Sequence, residues 1–262
     1  MRHQFTRGSL LLYPAYVQDY LDRVTATDVT AGNSSGLESG VTDATSSFLQ
    51  DLVSISYLGI SGGVISQAAS VIKASCIMAG AHTRQGSLVP VVGPAPTEFG
   101  TAGGWNYNRK TGTAGNGINN YLNSNRNNNA DPQNSNHNAV YATSLIPGIF
   151  MGAGGPVSGG NSIGTTLRNR SNISANGDTV VGLNGATRSS SASFSNTLAT
   201  FPIVSEPPFN GDVLVFARGT VAAPNTFNAS RIAFYSIGES LDLALLDASV
   251  TALINAYAAA IP

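Results

Sequence analysis

The residues whose types and spacing best suit binding chemistry lie in one asparagine-rich stretch. Of the 33 residues from 106 to 138, 13 are asparagine. A carboxamide pairs a donor with an acceptor and so matches the vicinal hydroxyls of a sugar, and an aromatic ring can stack on a pyranose face. A saccharide-binding site is therefore one chemically reasonable interpretation of the stretch. Its candidate residues are Trp105, Tyr107, Arg126, Asn127, Asp131 and His137.

Two other interpretations fit the same stretch. Asp131, with nearby amide and backbone oxygens, could hold a calcium ion, although one carboxylate is a small ligand set for a hard cation. Alternatively, the asparagines form Asx turns, tolerate left-handed backbone in a long loop, or stack against the same loop of sister chains. His137 stands between this loop and a predicted strand, where it is either a site residue or a packing residue. We assign no metal site and no cofactor.

Motifs that would indicate catalysis are weak. Residues 32–36 and 59–63 both match G-x-S-x-G, the motif of a hydrolase nucleophile. In a hydrolase this serine stands on a sharp turn just after a strand, whereas here helices are predicted before both matches, so neither match indicates a nucleophile. The three histidines lie far apart, with no carboxylate three or four residues on, which excludes an H-E-x-x-H zinc helix. The four glutamates are scattered singly, so the sequence offers no evident carboxylate pair for glycoside hydrolysis. We expect no enzyme.

The chain of 262 residues carries little charge. Asp, Glu, Lys and Arg make up 10% of it, against about 25% in an average soluble protein, and the formal net charge is −1. Lysine occurs only at Lys73 and Lys110, in no P-loop pattern, and no row of cations could displace counterions from phosphates. We therefore expect no nucleotide and no nucleic-acid partner. No apolar run reaches the roughly 20 residues of a membrane helix, so no membrane span is expected.

Three kinds of pattern follow one another along the chain. Up to about residue 80, apolar spacing predicts helices from Pro14 to about Val24, over residues 41–52 and over residues 64–76. From about residue 86, short β-rich runs alternate with Gly, Pro and Asn clusters, as is typical of a sandwich or barrel. In residues 239–262, apolar residues repeat at about 3.5-residue intervals behind Ser240 and Asp242, which predicts one capped terminal helix. The predicted strands are residues 87–92, 120–123, 139–145, 149–151, 165–168, 179–183, 192–194, 212–217 and 231–237.

Several motifs in this order resemble a known family. Residues 115–117, Gly-Asn-Gly, precede Tyr121-Leu122, and residues 231–238 read Arg-Ile-Ala-Phe-Tyr-Ser-Ile-Gly. These two motifs resemble the opening turn and the closing strand of concanavalin A-like, LamG-type β-sandwiches. Residues 121–133, 189–192 and 240–247 resemble structural proteins of tailed bacteriophages, cyanophages among them. The resemblance covers about residues 70–262.

The resemblance implies a fold and a class of protein. The fold is mainly β, a concanavalin A-like or jelly-roll antiparallel β-sandwich, preceded by an N-terminal helical region and closed by a C-terminal helix. The class is a phage virion component, which is usually a tail fibre, a receptor-binding tip or a capsid decoration. Catalytic members of the sandwich class carry an E-x-D-x-x-E strand pattern, which this sequence lacks.

The leading hypothesis is a non-enzymatic virion protein, a tail fibre or receptor-binding tail subunit that contacts host-surface glycans. Residues 1–80 would form a helical attachment and oligomerisation region, and residues 85–262 the sandwich with its C-terminal helix. The fibre analogy implies a homotrimer that joins other tail or baseplate proteins through residues 1–80. A capsid decoration protein and a stand-alone carbohydrate-binding module are the alternatives, and a depolymerising enzyme of the same sandwich class is a third hypothesis.

Overall fold

A computed structural model describes residues 13–154, 157–177 and 179–262. The first 12 residues of the predicted attachment region lie outside the described residues. The helices are α1 (Ala15–Thr30), α2 (Ser39–Ser54), α3 (Arg84–Ser87) and α4 (Leu243–Ala260), and a 3-10 turn spans Ala102–Gly104. The strands are β1 (Gly59–Ser61), β2 (Val64–Ser66), β3 (Ile72–Ile77), β4 (Pro90–Val92), β5 (Thr97–Phe99), β6 (Asn106–Asn108), β7 (Gly112–Ala114), β8 (Tyr121–Asn127), β9 (Asn136–Ser144), β10 (Ile149–Ala153), β11 (Asn161–Gly164), β12 (Thr166–Asn169), β13 (Ala175–Asn176), β14 (Gly182–Arg188), β15 (Phe194–Ser195), β16 (Thr200–Phe201), β17 (Asp212–Val215), β18 (Arg218–Gly219), β19 (Pro224–Asn225) and β20 (Arg231–Gly238).

Two large sheets contain most of these strands. The first, here called the helix-side sheet, has the order β16-β15-β14-β9-β20-β3-β4, with β7 also paired to β20 and β6 paired to β7. The second, the outer sheet, has the order β13-β12-β11-β10-β17-β8-β5. The pairs β1-β2 and β18-β19 form separate two-stranded sheets, and every strand pairing among the described residues is antiparallel. The prediction of a mainly β chain is therefore confirmed.

The helix-side sheet is the middle layer of three. Successive residues of a strand point to opposite faces, and β9 shows this clearly. Tyr141 belongs to a core cluster with Phe234 of β20 and with residues of α1, α2 and α4. Val140 belongs to a second cluster, which joins this sheet to the outer sheet through residues such as Phe150 and Val215. One face of a β-sandwich-like pair of sheets is thus covered by helices.

The predicted helix over residues 64–76 is wrong. This segment holds β2 and β3 instead, and β3 pairs with β20 on one side and β4 on the other. Both faces of β3 are covered, and five of its six residues are buried. The apolar residues from Val64 to Cys76 also fit a helical spacing, so the local pattern does not distinguish a strand from a helix here. The hairpin before it turns at Gly62 and Gly63, with φ of 60° and 81°. Two adjacent positive φ values favour glycine, so the G-x-S-x-G match at residues 59–63 is a short strand that runs into a hairpin turn.

Helix α1 continues to Thr30, six residues past the predicted end near Val24. The side chain of Asp28 explains the extension, because it is buried and binds the loop that precedes α3. Its carboxylate accepts hydrogen bonds from the backbone N–H groups of His82 and Thr83, at 2.9 and 2.8 Å, and from the hydroxyl of Thr83 at 2.6 Å. A contact with a distant segment therefore sets this boundary, and local apolar spacing could not indicate it.

The C-terminal helix α4 is confirmed, together with its cap. Asp242 accepts hydrogen bonds from the backbone N–H groups of Ala244 and Leu245. The helix packs on α2, where the hydroxyls of Tyr257 and Thr45 lie 2.6 Å apart, and also on β14. Among the described residues, α4 is the one helix that is long and apolar enough to cross a membrane by length and composition alone. In this fold its apolar face is part of the core.

The described part of residues 1–80 is packed into the rest of the fold. Strand β3 lies between β20 and β4 in the helix-side sheet. Helices α1 and α2 share one core cluster with α4 and with residues of β9 and β20. The division into an attachment region and a sandwich concerns function, and it stays a prediction.

Candidate functional site

The asparagine-rich stretch is ordered by its own side chains. Asn123 accepts a hydrogen bond from the backbone N–H of Asn125 at 3.0 Å, and Asn127 accepts one from Asn129 at 3.0 Å. Asn125 itself adopts a positive φ of 53°. These contacts confirm the prediction of Asx turns and left-handed backbone, because asparagine tolerates both better than most residues.

A buried polar network fixes the loop that follows β8. Asn128 donates from Nδ2 to the carbonyl oxygens of Gly159 and Phe209, at 3.1 and 3.2 Å. The side-chain amide of Asn161 donates to Asn128 Oδ1 at 2.5 Å, and its own oxygen accepts from the backbone N–H of Arg170 at 2.8 Å. The loop is therefore held by Asn161 of β11, which is itself held by the backbone of Arg170 just after β12, and both residues are far from the loop in the sequence.

The guanidinium of Arg170 completes this network. It donates to the carbonyl oxygens of Asn128 and Asp131, at 2.6 and 2.9 Å, and to that of Pro132. Burial lowers the pKa of Arg170 to about 10, against the opposing effect of the Asp131 carboxylate. The group still carries its charge near neutral pH, and it serves as a donor to backbone that no strand partner satisfies.

Arg126 and Asp131 form an ion pair at the surface end of this network. Arg126 Nη2 lies 2.5 Å from Asp131 Oδ1, and the side chain of Asp131 is nearly buried. In the described part of the chain, no three of the His, Cys, Asp and Glu side chains converge as metal ligands would. The carboxylate that could have held calcium is thus engaged by an arginine.

A polar pocket of about 280 Å³ opens beside this ion pair. The charged residues of the pocket form two ion pairs. One is Arg126 with Asp131, and in the other Lys73 Nζ lies 3.0 Å from Glu239 Oε1. Formal charges sum to zero, and N–H donors alternate with carboxylate acceptors. Such a lining can hydrogen-bond to neutral hydroxyl groups. The residues lining the polar pocket are Gln67, Ala68, Lys73, Arg126, Ala130, Asp131, Pro132 and Glu239.

Trp105 and Tyr107 lie elsewhere. The indole ring of Trp105 packs edge-on against Phe216, with centroids 5.5 Å apart, and the guanidinium of Arg84 lies 5.4 Å from the indole centroid. The hydroxyl of Tyr107 donates to the carbonyl of Ala81 at 2.6 Å, and burial raises the pKa of that phenol.

The length of β8 separates the predicted site residues into two groups. Asp212 pairs with Asn127 at one end of this strand and Val215 with Leu122 at the other, so Phe216 and its partner Trp105 lie beyond the second end. At about 3.4 Å per residue, the strand spans roughly 20 Å. The structure thus brings Arg126 and Asp131 together in the polar pocket and leaves the aromatic candidates at the opposite end.

Asn127 and His137 lie near the first group but outside the pocket lining. The side chain of Asn127 donates to Asn210 Oδ1 at 2.9 Å. His137 is fully buried, with Nδ1 2.6 Å from the carbonyl oxygen of Glu239 and Nε2 2.6 Å from Ser236 Oγ. Since a carbonyl can only accept, Nδ1 carries the proton and Nε2 accepts from the serine hydroxyl. Burial lowers the pKa of this imidazole to about 4, so the neutral form is the stable one.

Sequence reasoning missed Lys73, Glu239 and Gln67. Lys73 lies on β3, where the apolar spacing predicts a helix, and a helix would not align Lys73 with the residue after β20. Glu239 directly follows the closing strand, and this position was the one signal available, because residues at strand ends often line sites. No protein-family model matches the chain, and no curated protein matches it.

Proposed function

We propose that the chain is a non-catalytic virion subunit of a tailed phage, a tail fibre or receptor-binding tail subunit that binds a host-surface saccharide in the polar pocket. The observation that carries the saccharide proposal is the pocket lining, with its two ion pairs beside an asparagine-rich loop. The resemblance of residues 70–262 to phage structural proteins carries the virion assignment. The antiparallel sheets, stacked face to face, support a concanavalin A-like or jelly-roll arrangement.

The pocket chemistry favours neutral hydroxyl ligands over charged ones. Each cation of the lining already has a carboxylate within 3.0 Å, so an incoming anion would compete with a resident one. Hydroxyls can instead accept from Lys73 or Arg126 and donate to Glu239 or Asp131 at the same time. The Arg170 network holds the loop in place before any ligand arrives, which lowers the entropy cost of binding.

The surface supports a role within an assembly. None of the exposed residues of α4 is ionisable, and Asp247 is its one half-buried acid; the exposed residues are Ala244, Leu245, Ala248, Ala252, Asn255, Ala258 and Ala259. Three apolar side chains, Val180, Val181 and Leu198, are also exposed, on loops beside β14 and β15; we call them the apolar tip. Contiguous apolar surface of this kind marks interfaces between subunits more often than free surface.

A glycan array tests saccharide binding and its location. We expect the wild-type chain to bind at least one neutral glycan, and Glu239→Gln and Arg126→Gln to weaken that binding by about tenfold or more, since each removes one hydrogen-bonding charge. Trp105→Ala is the matched control, because it removes a candidate residue at the far end of β8. Absence of binding to every glycan, or loss in the Trp105 variant alone, would contradict the pocket assignment.

Two further measurements test the virion role and the absence of catalysis. Antibody labelling of intact particles should decorate the tail, while labelling of the capsid would favour the decoration alternative and contradict the tail assignment. Incubation with host polysaccharide should release no new reducing ends. Release that Glu239→Gln abolishes would instead identify a depolymerising enzyme.

A further inference from the structure

A second group of charged residues lies on the outer sheet and has no role in the polar pocket. Gly152 of β10 pairs with Ser162 of β11, and Ser162 pairs with Arg168 of β12. Directly paired residues of an antiparallel sheet project from the same face. The three positions therefore form one row across three strands, with Arg168 at its end.

Arg218 lies over the start of this row. Its Cγ is 3.1 Å from the place that a Cβ on residue 152 would occupy, so the glycine leaves room for the arginine stem. Its Nη1 donates to Ser162 Oγ at 3.2 Å. Arg218 thus contacts Ser162 directly, while Arg168 is the neighbour of Ser162 in the paired row and lies close enough to Arg218 for its charge to act on that guanidinium.

These two cations differ from the other arginines that the structure describes. Arg23, Arg84, Arg109 and Arg126 pair with carboxylates. Arg170, Arg188 and Arg231 donate to backbone carbonyls.

Within the described residues, Arg168 and Arg218 have no carboxylate partner. Arg168 Nε, Arg168 Nη1 and Arg218 Nε are buried without an acceptor. Burial, together with the positive charge of Arg168, lowers the pKa of Arg218. Two like charges and three unsatisfied donors are costly unless something neutralises them.

We propose that Arg168, Arg218 and Ser162 bind an oxyanion, a sulfate or phosphate group that is either free or carried as an ester. A planar guanidinium presents parallel N–H donors that match two oxygens of such a group, and a tetrahedral anion can bridge two guanidinium groups at once. Chloride offers one atom and cannot match both forks. Both arginine side chains keep exposed surface, so the anion can reach them from solvent. The site is independent of the saccharide proposal.

Calorimetric titration with sodium sulfate and with sodium phosphate tests the site, with sodium chloride at matched ionic strength as the reference. We expect saturable binding of an oxyanion to the wild-type chain, weakened by about tenfold or more in Arg168→Gln and in Arg218→Gln. Arg168→Lys keeps the charge and removes the fork, and it should also weaken binding. Lys110→Gln removes one positive charge elsewhere and should leave binding unchanged.

Thermal unfolding separates a specific site from general screening. Without oxyanion, Arg168→Gln should unfold at the same or a higher temperature than the wild type, because it removes like-charge repulsion. Sulfate should then raise the melting temperature of the wild type more than that of the variant, since exclusion of sulfate from the protein surface stabilises both chains alike and the difference reports the site. No oxyanion effect beyond that of chloride, or an equal effect on Lys110→Gln and Arg168→Gln, would overturn the proposal.

Glucose 6-phosphate and glucose distinguish the two sources of the anion. Tighter binding of the ester than of inorganic phosphate would assign the site to an anion carried on a larger molecule. Equal binding of glucose 6-phosphate and inorganic phosphate would assign the site to the free ion. Either result supports the site if Arg168→Gln and Arg218→Gln both lose the binding. Equal binding of glucose itself would show that the anionic group is not recognised, and would refute the proposal.

Discussion

The buried imidazole of His137 makes the stability of the fold depend on pH. Its pKa is about 4 in the folded chain and 6.5 in its ordinary state, because burial disfavours the charged form. The unfolded chain therefore binds more protons between these values, and the neutral ring stabilises the fold fully above pH 6.5. We expect the free energy of unfolding to fall by about 3 kcal/mol as the pH drops from 6.5 to 4. Urea unfolding at a series of pH values measures it.

The His137→Asn variant tests the assignment, because it keeps a donor near Nδ1 and removes the titration. It should be less stable at neutral pH and should lose the slope between pH 6.5 and 4. A separate slope at lower pH should remain, since the hydrogen bond from Arg109 lowers the pKa of Glu38 to about 2 from 4.5. Stability from that pair is lost only as the pH falls from 4.5 toward 2. An unchanged slope above pH 4.5 in the variant would show that another group titrates there.

At the scale of elements, Arg188 joins the end of β12 to the chain that follows β14. Its fully buried guanidinium donates to the carbonyls of Asn169, Ser190, Ser191, Ser193 and Ile203. Burial lowers the pKa of Arg188 to about 10, so the charge remains at neutral pH. We expect Arg188→Lys to cost about 3–5 kcal/mol of unfolding free energy, because a lysine cannot reach these carbonyls from one planar fork.

The control for this substitution is Arg23→Lys on the surface of α1. Arg23 pairs with Asp19 four residues earlier and donates to a single carbonyl, that of Pro90, at 2.8 Å, and both side chains of the pair are more than a third exposed. Such pairs contribute at most about 0.5 kcal/mol. If Arg188→Lys were no more destabilising than Arg23→Lys in urea unfolding, the carbonyl contacts would not be what orders residues 189–203.

The cap of α4 gives a smaller effect at the same scale. Asp242→Ala removes the acceptor for the N–H groups of Ala244 and Leu245 and should cost about 1 kcal/mol in urea unfolding. Asp242→Asn should stay within a few tenths of the wild type, because asparagine caps as well as aspartate. Equal losses in the two variants would indicate that the negative charge, rather than the acceptor, stabilises this end.

The elements show how far the sequence could predict the fold. Helices α2 and α4 are predicted with nearly their observed bounds because their apolar residues follow a helical period. The long strands β9 and β20 are predicted because their β-rich runs are bounded by Gly, Asn and Ser. Strand β3 is not predicted, since the apolar residues from Val64 to Cys76 also fit a helical spacing. The polar pocket was predicted only on its asparagine-loop side. Its other wall comes from residues 67–73 and 239, and only the pairing of β3 with β20 brings these together.

At the scale of the whole molecule, a sparsely charged chain with exposed apolar side chains predicts self-association. In the apolar tip, Val181 and Leu198 expose 64% and 69% of their surface. Burial of apolar surface contributes roughly 25 cal/mol of free energy per Å². The exposed side chains of the apolar tip gain this free energy only when another subunit covers them. We therefore expect light scattering at micromolar concentration to give a mass above that of one chain, and the fibre analogy makes a trimer the expected species.

A charge in the tip should break this association without unfolding the chain. Val181→Lys places an ammonium where the side chain is already exposed, so the fold of the single chain should not suffer. The melting temperature of the variant should be close to that of the wild-type chain diluted until it is monomeric. Desolvating that charge in an interface is costly, and the measured mass should fall toward one chain.

Ile118→Lys is the matched control, because Ile118 is 73% exposed on the loop before β8, away from the tip. A wild-type monomer at micromolar concentration would contradict the assembly itself. Dissociation by Ile118→Lys but not by Val181→Lys would place the interface on the β8 side of the molecule and leave the apolar tip free for another partner.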